Sequence, residues 1–295
     1  MRAMVLAAGL GTRLRPLTLE RPKPGVPYGL RPLACIALDA LAEAGVRKIV
    51  MNTHHLGEAL PGLLAPHLPP GVEIEYVHEP QLLGTGGGIH NVREFLLADG
   101  GPVFIMNSDI VFQPDLKGAL GLHRRLNAVA TMVLRPDPNA AQFGAVEVDG
   151  EGHVRRLLGK PQVEEPLETY MFTGVHVLSA RAFEDVPPDG CIVQHAYRRW
   201  VDEGTTVAGF VDPAAWQDLG THARYLDAHI ALTEGGSLIH PSANVDPAAT
   251  IVESVVGEGA RVGPVRVSRS VVWPGANVHR DVHQAIVTPK EVVPV

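Results

Sequence analysis

The sequence predicts an α/β fold in which a mostly parallel sheet is followed by a short parallel β-helix. Three observations carry this expectation. Through the first two-thirds of the chain, short apolar runs alternate with segments whose apolar residues recur at helical spacing. Strands separated by helices join as βαβ units, and these build parallel sheets. After Gly235-Gly236 the helical stripes vanish, and apolar β-branched residues recur at Ile239, Val245, Ile251, Val256 and Val262, and again at Val272 and Val278. Hexad-like recurrence among small residues and turns is the pattern of a β-helix, in which each coil buries only what its neighbours cover. A chain of 295 residues is long enough for two such units, and the change of texture divides it into 1–236 and 237–295.

The elements follow in order. Residues 3–8 read as a short buried strand. The stretch 32–45 carries Leu33, Ile36, Ala37, Leu38, Ala40, Leu41 and Ala44 at helical spacing, and Gly45 ends it. Strands are expected at 48–52, at 72–77, where apolar and polar residues alternate, at 102–107 and at 128–134. The middle is more antiparallel in character: 144–149 alternates, Gly150-Glu151-Gly152 turns, and 154–158 returns as a hairpin. A strand at 171–178 and helices near 193–203 and over 221–232 complete this part. Ligands bind beyond the carboxyl ends of parallel strands. The loops after Ala8, Asn52, Val77 and Asn107 are therefore where chemistry is expected.

Charge and cysteine content exclude several classes. A net charge of −7 does not suit a protein that coats nucleic acid or an acidic membrane, since both rest on a basic footprint. No apolar run approaches the ~20 residues that span a bilayer, and the N-terminal apolar stretch is too short for a secretory signal. Cys35 and Cys191, far apart, form neither a disulfide framework nor a cysteine-type zinc site. The adjacent His54 and His55 diverge, so they lack metal-ligand spacing. A cytoplasmic protein is the expectation.

The densest chemistry lies between Leu6 and Pro32. Gly9 and Gly11 follow the first strand and free the backbone to curl, and successive N–H groups in such a loop form an anion-binding nest. Between Met1 and Pro32, six basic residues (Arg2, Arg13, Arg15, Arg21, Lys23, Arg31) stand against the single acid Glu20, a local reversal of sign in an anionic chain. A glycine-rich turn beside clustered Arg and Lys suits a polyphosphate. It is not a dinucleotide fingerprint, because Leu14 stands where the third glycine is required, and no Gly-Lys-Ser/Thr of a Walker loop is present. Further along, Gly84-Thr85-Gly86-Gly87-Gly88 would let a planar base approach the backbone and would open a helix over 89–97. Asp109, at the carboxyl end of the 102–107 strand and facing the phosphate loop, is a natural ligand for Mg²⁺, which prefers one or two carboxylates plus substrate phosphates.

The run Leu-Ala-Ala-Gly-Leu-Gly-Thr-Arg-Leu-Arg-Pro-Leu-Thr from Leu6, followed by Pro22-Lys23-Pro24, resembles the signature of the sugar-1-phosphate nucleotidyltransferase family. The resemblance extends through Leu83-Gly84-Thr85-Gly86-Gly87 and Trp216-Gln217-Asp218-Leu219-Gly220-Thr221 to about Tyr225, and the hexad tail is similar to that of many members. It implies a Rossmann-like sheet domain over 1–236, a short left-handed β-helix of hexapeptide repeats over 237–295, and the reaction of an NTP with a sugar 1-phosphate to give an NDP-sugar and pyrophosphate. Residue by residue, it implies that Leu6, Ala8, Gly9, Gly11, Thr12 and Arg13 wrap the triphosphate, with Arg13 toward the leaving phosphates and Lys23 on the α-phosphate. Gly84, Thr85 and Gly86 would recognise the base, and Asp109 and Asp218 would hold Mg²⁺.

On the sugar side the resemblance implies Gly144 (following Phe143), Lys160, Thr173 and Gly174, with Lys160 on the sugar phosphate. Gly159 stands where many members carry Glu, and Ser108 where many carry Gly. The tail and the Gly-Thr-Gly-Gly pattern are similar to mannose-1-phosphate guanylyltransferases, whereas other stretches are similar to N-acetylmuramate-1-phosphate uridylyltransferases. A glucose-1-phosphate nucleotidyltransferase, or a non-catalytic regulatory subunit that binds a sugar nucleotide, also stays open. A β-helix of two to three coils cannot cover its own apolar face. Residues 239–295 are therefore expected to pack on their own catalytic domain or on a second subunit, giving a homo-oligomer.

Overall fold

The structure is a computed structural model, and it describes residues 1–140 and 144–295. Phe143 lies outside the described residues. The centre is a nine-stranded sheet. Its parallel core is β1 (Arg2–Leu6), β2 (Lys48–Thr53), β3 (Glu73–His78) and β4 (Val103–Asn107), in the order β4-β1-β2-β3. Between β1 and β2 runs α1 (Cys35–Glu43), whose stripe Cys35, Ala37, Leu38, Ala40 and Leu41 is buried on the sheet. The strand ends are level: Leu6 stands opposite Asn52 on one side and Asn107 on the other. Three loops therefore open onto one edge, as parallel topology requires.

The glycine-rich segment differs from the expectation. The helix begins at Gly84 rather than after the glycines: α2 spans Gly84–Asn91, and a break at Val92 separates it from α3 (Arg93–Leu97). Glycine is a poor helix former, and tertiary packing overrides that preference. A Cβ on Gly86 would meet Pro187 at 2.6 Å, one on Gly87 the carbonyl oxygen of Pro188 at 2.8 Å, and one on Gly88 the side chain of Asn52 at 2.9 Å. These glycines let a helix lie against neighbouring backbone.

Beyond β4, the short β5 (Ile110–Phe112), α4 (Leu116–Arg125) and β6 (Ala130–Arg135) follow. The hairpin of β7 (Ala145–Val148) and β8 (Val154–Leu157) forms as expected and pairs antiparallel with β9 (Glu168–Leu178), which itself runs antiparallel to β4. Strand β10 (Val207–Val211) extends the sheet beside β6. Then β11 (Trp216–Asp218) pairs with β5, setting Asp218 opposite Ile110, and α5 (His222–Leu232) starts from a Thr221 cap whose Oγ1 accepts from the Arg224 N–H.

After α5 the chain winds into a parallel β-helix. Leu238 pairs with Val255, Val255 with Val271 and Val271 with Ile286, and two further stacks of parallel strands make the other walls. Each coil is shorter than three full hexads, and in the first coil the shortfall is the five-residue step from Ile251 to Val256. The last strand, Val292–Pro294, turns back antiparallel on Ala285–Val287 and closes that end. The β-helix packs on its own chain: Trp273, Val256, Val272 and Ile286 share one core with Leu14, Leu17, Leu33, Leu219, Tyr225 and Leu226.

Candidate active site

The loop after β1 is shaped by one left-handed residue. Gly11 has φ of +59° and precedes a tight helical turn at Thr12–Leu14. An L side chain is strained in that conformation, and a Cβ there would also press on Thr18 at 2.7 Å. The Thr18 hydroxyl donates to the Gly11 carbonyl and closes the loop. The chain then makes a helical turn at Leu17–Glu20 and another at Lys23–Gly25, which turns Lys23 back toward the strand ends.

Two adjoining cavities lie over those ends. The larger, about 330 Å³, is lined by Leu6, Ala7, Ala8, Gly9, Pro24, Asn52, Glu79, Leu82, Gly84, Thr85, Asn107 and Ser108. The smaller, about 180 Å³, is lined by Gly11, Thr12, Arg13, Leu14 and Gly220. Gly9, Lys23 and Asp109 belong to both, so they stand at the junction. A base-sized lobe opening onto a phosphate-sized lobe is the shape a nucleotide requires.

The junction is held by charge. Lys23 is only 7% exposed, and its Nζ lies 2.7 Å from Oδ2 of Asp109 and 3.7 Å from Oδ1 of Asp218. Asp218 also meets Arg13 Nη2 at 3.6 Å and Arg224 Nη1 at 3.3 Å. Two carboxylates far apart in sequence reach the same ammonium because Asp218 sits opposite Ile110 in the β5–β11 pair, next in the chain to Asp109. Ser108 anchors the other side, with its N–H and its hydroxyl both donating to the Leu6 carbonyl. Among the described residues no cluster of three or more His, Cys, Asp or Glu could hold a metal. Asp109 and Asp218, converging on one point beside a phosphate-sized cavity, nevertheless match the donor set of Mg²⁺, which takes its remaining ligands from phosphate and water.

A buried polar bridge supports the larger cavity. Asn52 Oδ1 accepts from the Ala7 N–H (2.8 Å), and Asn52 Nδ2 donates to Glu79 Oε1 (2.8 Å). Glu79, 1% exposed, accepts from the Leu83 N–H through Oε2. One amide thus ties the start of the phosphate loop to the segment that leads into α2.

The structure brings Leu6, Ala8, Gly9, Gly11, Thr12, Arg13, Lys23, Gly84, Thr85, Asp109 and Asp218 together. Gly86 lies behind the cavity wall, its N–H donating to the Gly190 carbonyl. Gly144, Lys160, Thr173 and Gly174 line neither cavity. Thr173 is buried with its hydroxyl donating to the Val133 carbonyl, Lys160 is exposed in the turn after β8, and Gly144 abuts Leu158. Gly174, at φ +85°, packs its backbone on Asn107, where a Cβ would meet Nδ2 at 2.4 Å. Sequence reasoning passed over Asn52, Glu79 and Asn107 as site residues, although their position at or just past strand ends was the signal.

Comparison with known proteins agrees with this geometry. Residues 2–235 match the family described as nucleotidyl transferase. A mannose-1-phosphate guanylyltransferase of Mycobacterium tuberculosis is 31% identical over 293 residues, covering 94% of this chain and 80% of that protein. A UTP–glucose-1-phosphate uridylyltransferase of a Synechocystis species is 29% identical, covering 77% of this chain and 62% of that protein. The crystal structure of HddC from Yersinia pseudotuberculosis, complexed with GMP-PN, shares the fold, with a TM-score of 0.61 at 22% identity over 77% of this chain and 97% of that one. The chain belongs to the nucleotidyl transferase family. Within it the chain falls among the sugar-1-phosphate nucleotidyltransferases, as its N-terminal motif implies.

Proposed function

We propose that the protein is a magnesium-dependent guanylyltransferase that condenses GTP with mannose 1-phosphate, releasing GDP-mannose and pyrophosphate. The observation that carries the chemistry is the Lys23 ammonium, clamped between Asp109 and Asp218 at the junction of the two cavities. An oxygen of the sugar phosphate forms a bond to the α-phosphorus of the nucleotide, and the bond from that phosphorus to the bridging oxygen of the β-phosphate breaks. Both partners are anions, so repulsion and positioning dominate the barrier and no nucleophilic side chain is needed. Lys23 and Arg13 supply fixed positive charge where negative charge accumulates. Asp109 and Asp218 would hold Mg²⁺, which neutralises phosphate charge when bound.

The preference for guanine and mannose rests on the Mycobacterium tuberculosis relative and on the wall of the larger cavity. Glu79 presents a buried carboxylate there. A carboxylate has more acceptor sites than its two partners, Asn52 and Leu83, use. Guanine offers two donors on one edge, N1–H and N2–H₂, whereas uracil offers one. The Synechocystis relative favours a second reading, transfer from UTP to glucose 1-phosphate. A matrix of nucleoside triphosphates against mannose, glucose and N-acetylmuramate 1-phosphates, with the sugar nucleotide identified by mass, tests the reading. Preferential formation of GDP-mannose supports it, and preferential formation of a UDP-sugar replaces it with the second.

A cytoplasmic setting goes with this reading, since nucleoside triphosphates and unpaired Cys35 and Cys191 suit that compartment. No helix among the described residues is long and apolar enough to cross a membrane. A homo-oligomer is part of the proposal: in the first coil of the β-helix Leu238, Val245, Ile251 and Val252 are only half-buried and Ile239 is exposed, as a contact between copies would use. Light scattering at micromolar concentration checks it, and a monomeric mass removes it.

A further inference from the structure

Three charged groups of the site, Arg13, Lys23 and Asp218, share an arrangement. Each is a short step along the chain from a residue anchored in the β-helix core. Arg13 precedes Leu14 and Asp218 precedes Leu219, and both leucines are buried in the cluster that includes Trp273, Val256 and Ile286. Lys23 lies between two further anchors, Arg21 and Val26. The Arg21 guanidinium stacks over the Trp273 ring, 5.6 Å from its centroid, and Val26 joins the same core. On the preceding helical turn, the Glu20 carboxylate accepts from the hydroxyl of Thr288, at the far end of the β-helix.

Polar contacts fix the register of this seam. Trp273 is wholly buried, and its Nε1–H donates to the Tyr225 hydroxyl at 3.0 Å. That hydroxyl in turn donates to the Pro27 carbonyl at 2.7 Å, just past the Lys23–Gly25 turn. A buried indole N–H and phenol O–H, each with one directed partner, hold a fixed distance in a way that apolar contact alone does not. The face of the 12–26 segment that carries Arg13 and Lys23 looks into the cavities, and its opposite face rests on the β-helix.

We infer that Trp273 and Thr288 are positioning residues for the nucleotidyl-transfer centre, and that the β-helix sets the location of Lys23 and Arg13 through Arg21, Glu20 and Tyr225. The inference rests on the proposed role of Lys23. Misplacement of a reacting group by about 1 Å from a distant change lowers rate by up to about a hundredfold, and such a loss falls on turnover more than on substrate affinity when the group acts in the transition state.

The test uses full-length Thr288→Val, which keeps bulk and removes the hydroxyl's bond to Glu20, and Trp273→Phe, which keeps an aromatic ring but removes the indole N–H and some buried volume, with Thr288→Ser as the variant that retains the hydroxyl. Thr288→Val and Trp273→Phe are each expected to lower kcat about tenfold with KM for both substrates within about twofold, and Thr288→Ser to restore kcat. In a Lys23→Ala background Thr288→Val should lower kcat by less than it does in the wild type, because part of its effect runs through Lys23. Amide hydrogen exchange supplies a readout independent of catalysis: residues 12–26 should exchange faster in Thr288→Val while the sheet strands do not change. Unaltered kcat and unaltered exchange over 12–26 overturn the inference. A wild-type enzyme inert toward every substrate pair would instead remove the proposed function, and exchange over 12–26 would then decide the positioning role. If Thr288→Val fails to fold, Trp273→Phe gives the same two readouts.

Discussion

Lys23 Nζ stands 2.7 Å from Oδ2 of Asp109, at the point where a base-sized and a phosphate-sized cavity meet. The lysine is almost wholly covered, while Asp109 remains a third exposed on the cavity side. A carboxylate partly open to solvent can exchange partners when a substrate arrives. A buried ammonium then loses one counter-charge and is free to meet an incoming phosphate.

Lys23→Ala therefore should lower kcat about a hundredfold or more, with a smaller rise in KM for the nucleotide, because the ammonium acts chiefly on charge that develops during transfer. Steady-state kinetics at saturating sugar phosphate check this. A rise confined to KM would make Lys23 a binding residue only.

Asn52 bridges the phosphate loop to the segment leading into α2 through buried bonds to Ala7 and Glu79. Asn52→Ala leaves a buried N–H and a buried carboxylate each short of a partner, and such losses cost about 1–3 kcal/mol. Chemical denaturation should show that decrease, accompanied by weaker nucleotide binding in calorimetry. A stability change under about 0.5 kcal/mol would mean that water replaces the amide at no cost.

His229 gives the fold a pH dependence. It is wholly buried, its Nδ1–H donates to the Tyr225 carbonyl and its Nε2 accepts from the Gly29 N–H, which fixes the neutral tautomer. Burial pushes its pKa down to about 4, from an ordinary value of 6.5. The unfolded chain takes up a proton near pH 6.5 and the folded chain does not until about pH 4, so stability is full above the first value and falls between them as pH drops. The loss from this one group is on the order of 3 kcal/mol. Stability measured by denaturant between pH 4 and 7 should fall more steeply in the wild type than in His229→Gln. Equal slopes would contradict the assignment.

Much of this architecture is legible in the sequence because the determinants are local. Alternation of strand and helix patterns yields the parallel sheet, and level strand ends follow from parallel topology, so the loops after Ala8, Asn52 and Asn107 mark the site. What stays hidden depends on partners distant in sequence. That Gly86–Gly88 form a helix reflects backbone at 187–190 pressing against them, which no local propensity encodes. That Asp218 meets Lys23 requires the β5–β11 register, and the family resemblance, not its own neighbourhood, singled it out. That Trp273 is buried depends on Tyr225 and Arg21, which are about fifty and about two hundred and fifty residues away in the chain and cover it. The Asn52–Glu79 pair carries no sequence mark beyond each residue's place at a strand end.

The central claim, that Asp109 and Lys23 form the centre of nucleotidyl transfer, is tested most directly by pyrophosphate release from Asp109→Asn beside the wild type at saturating Mg²⁺, GTP and mannose 1-phosphate. The amide is nearly isosteric, so the variant should fold with an unchanged circular dichroism spectrum. The account predicts that the wild type releases pyrophosphate only when both substrates are present, and that the variant turns over at least ~10²-fold more slowly, equivalent to about 2.7 kcal/mol of lost transition-state stabilisation. Pyrophosphate release by Asp109→Asn at a rate near that of the wild type would contradict it.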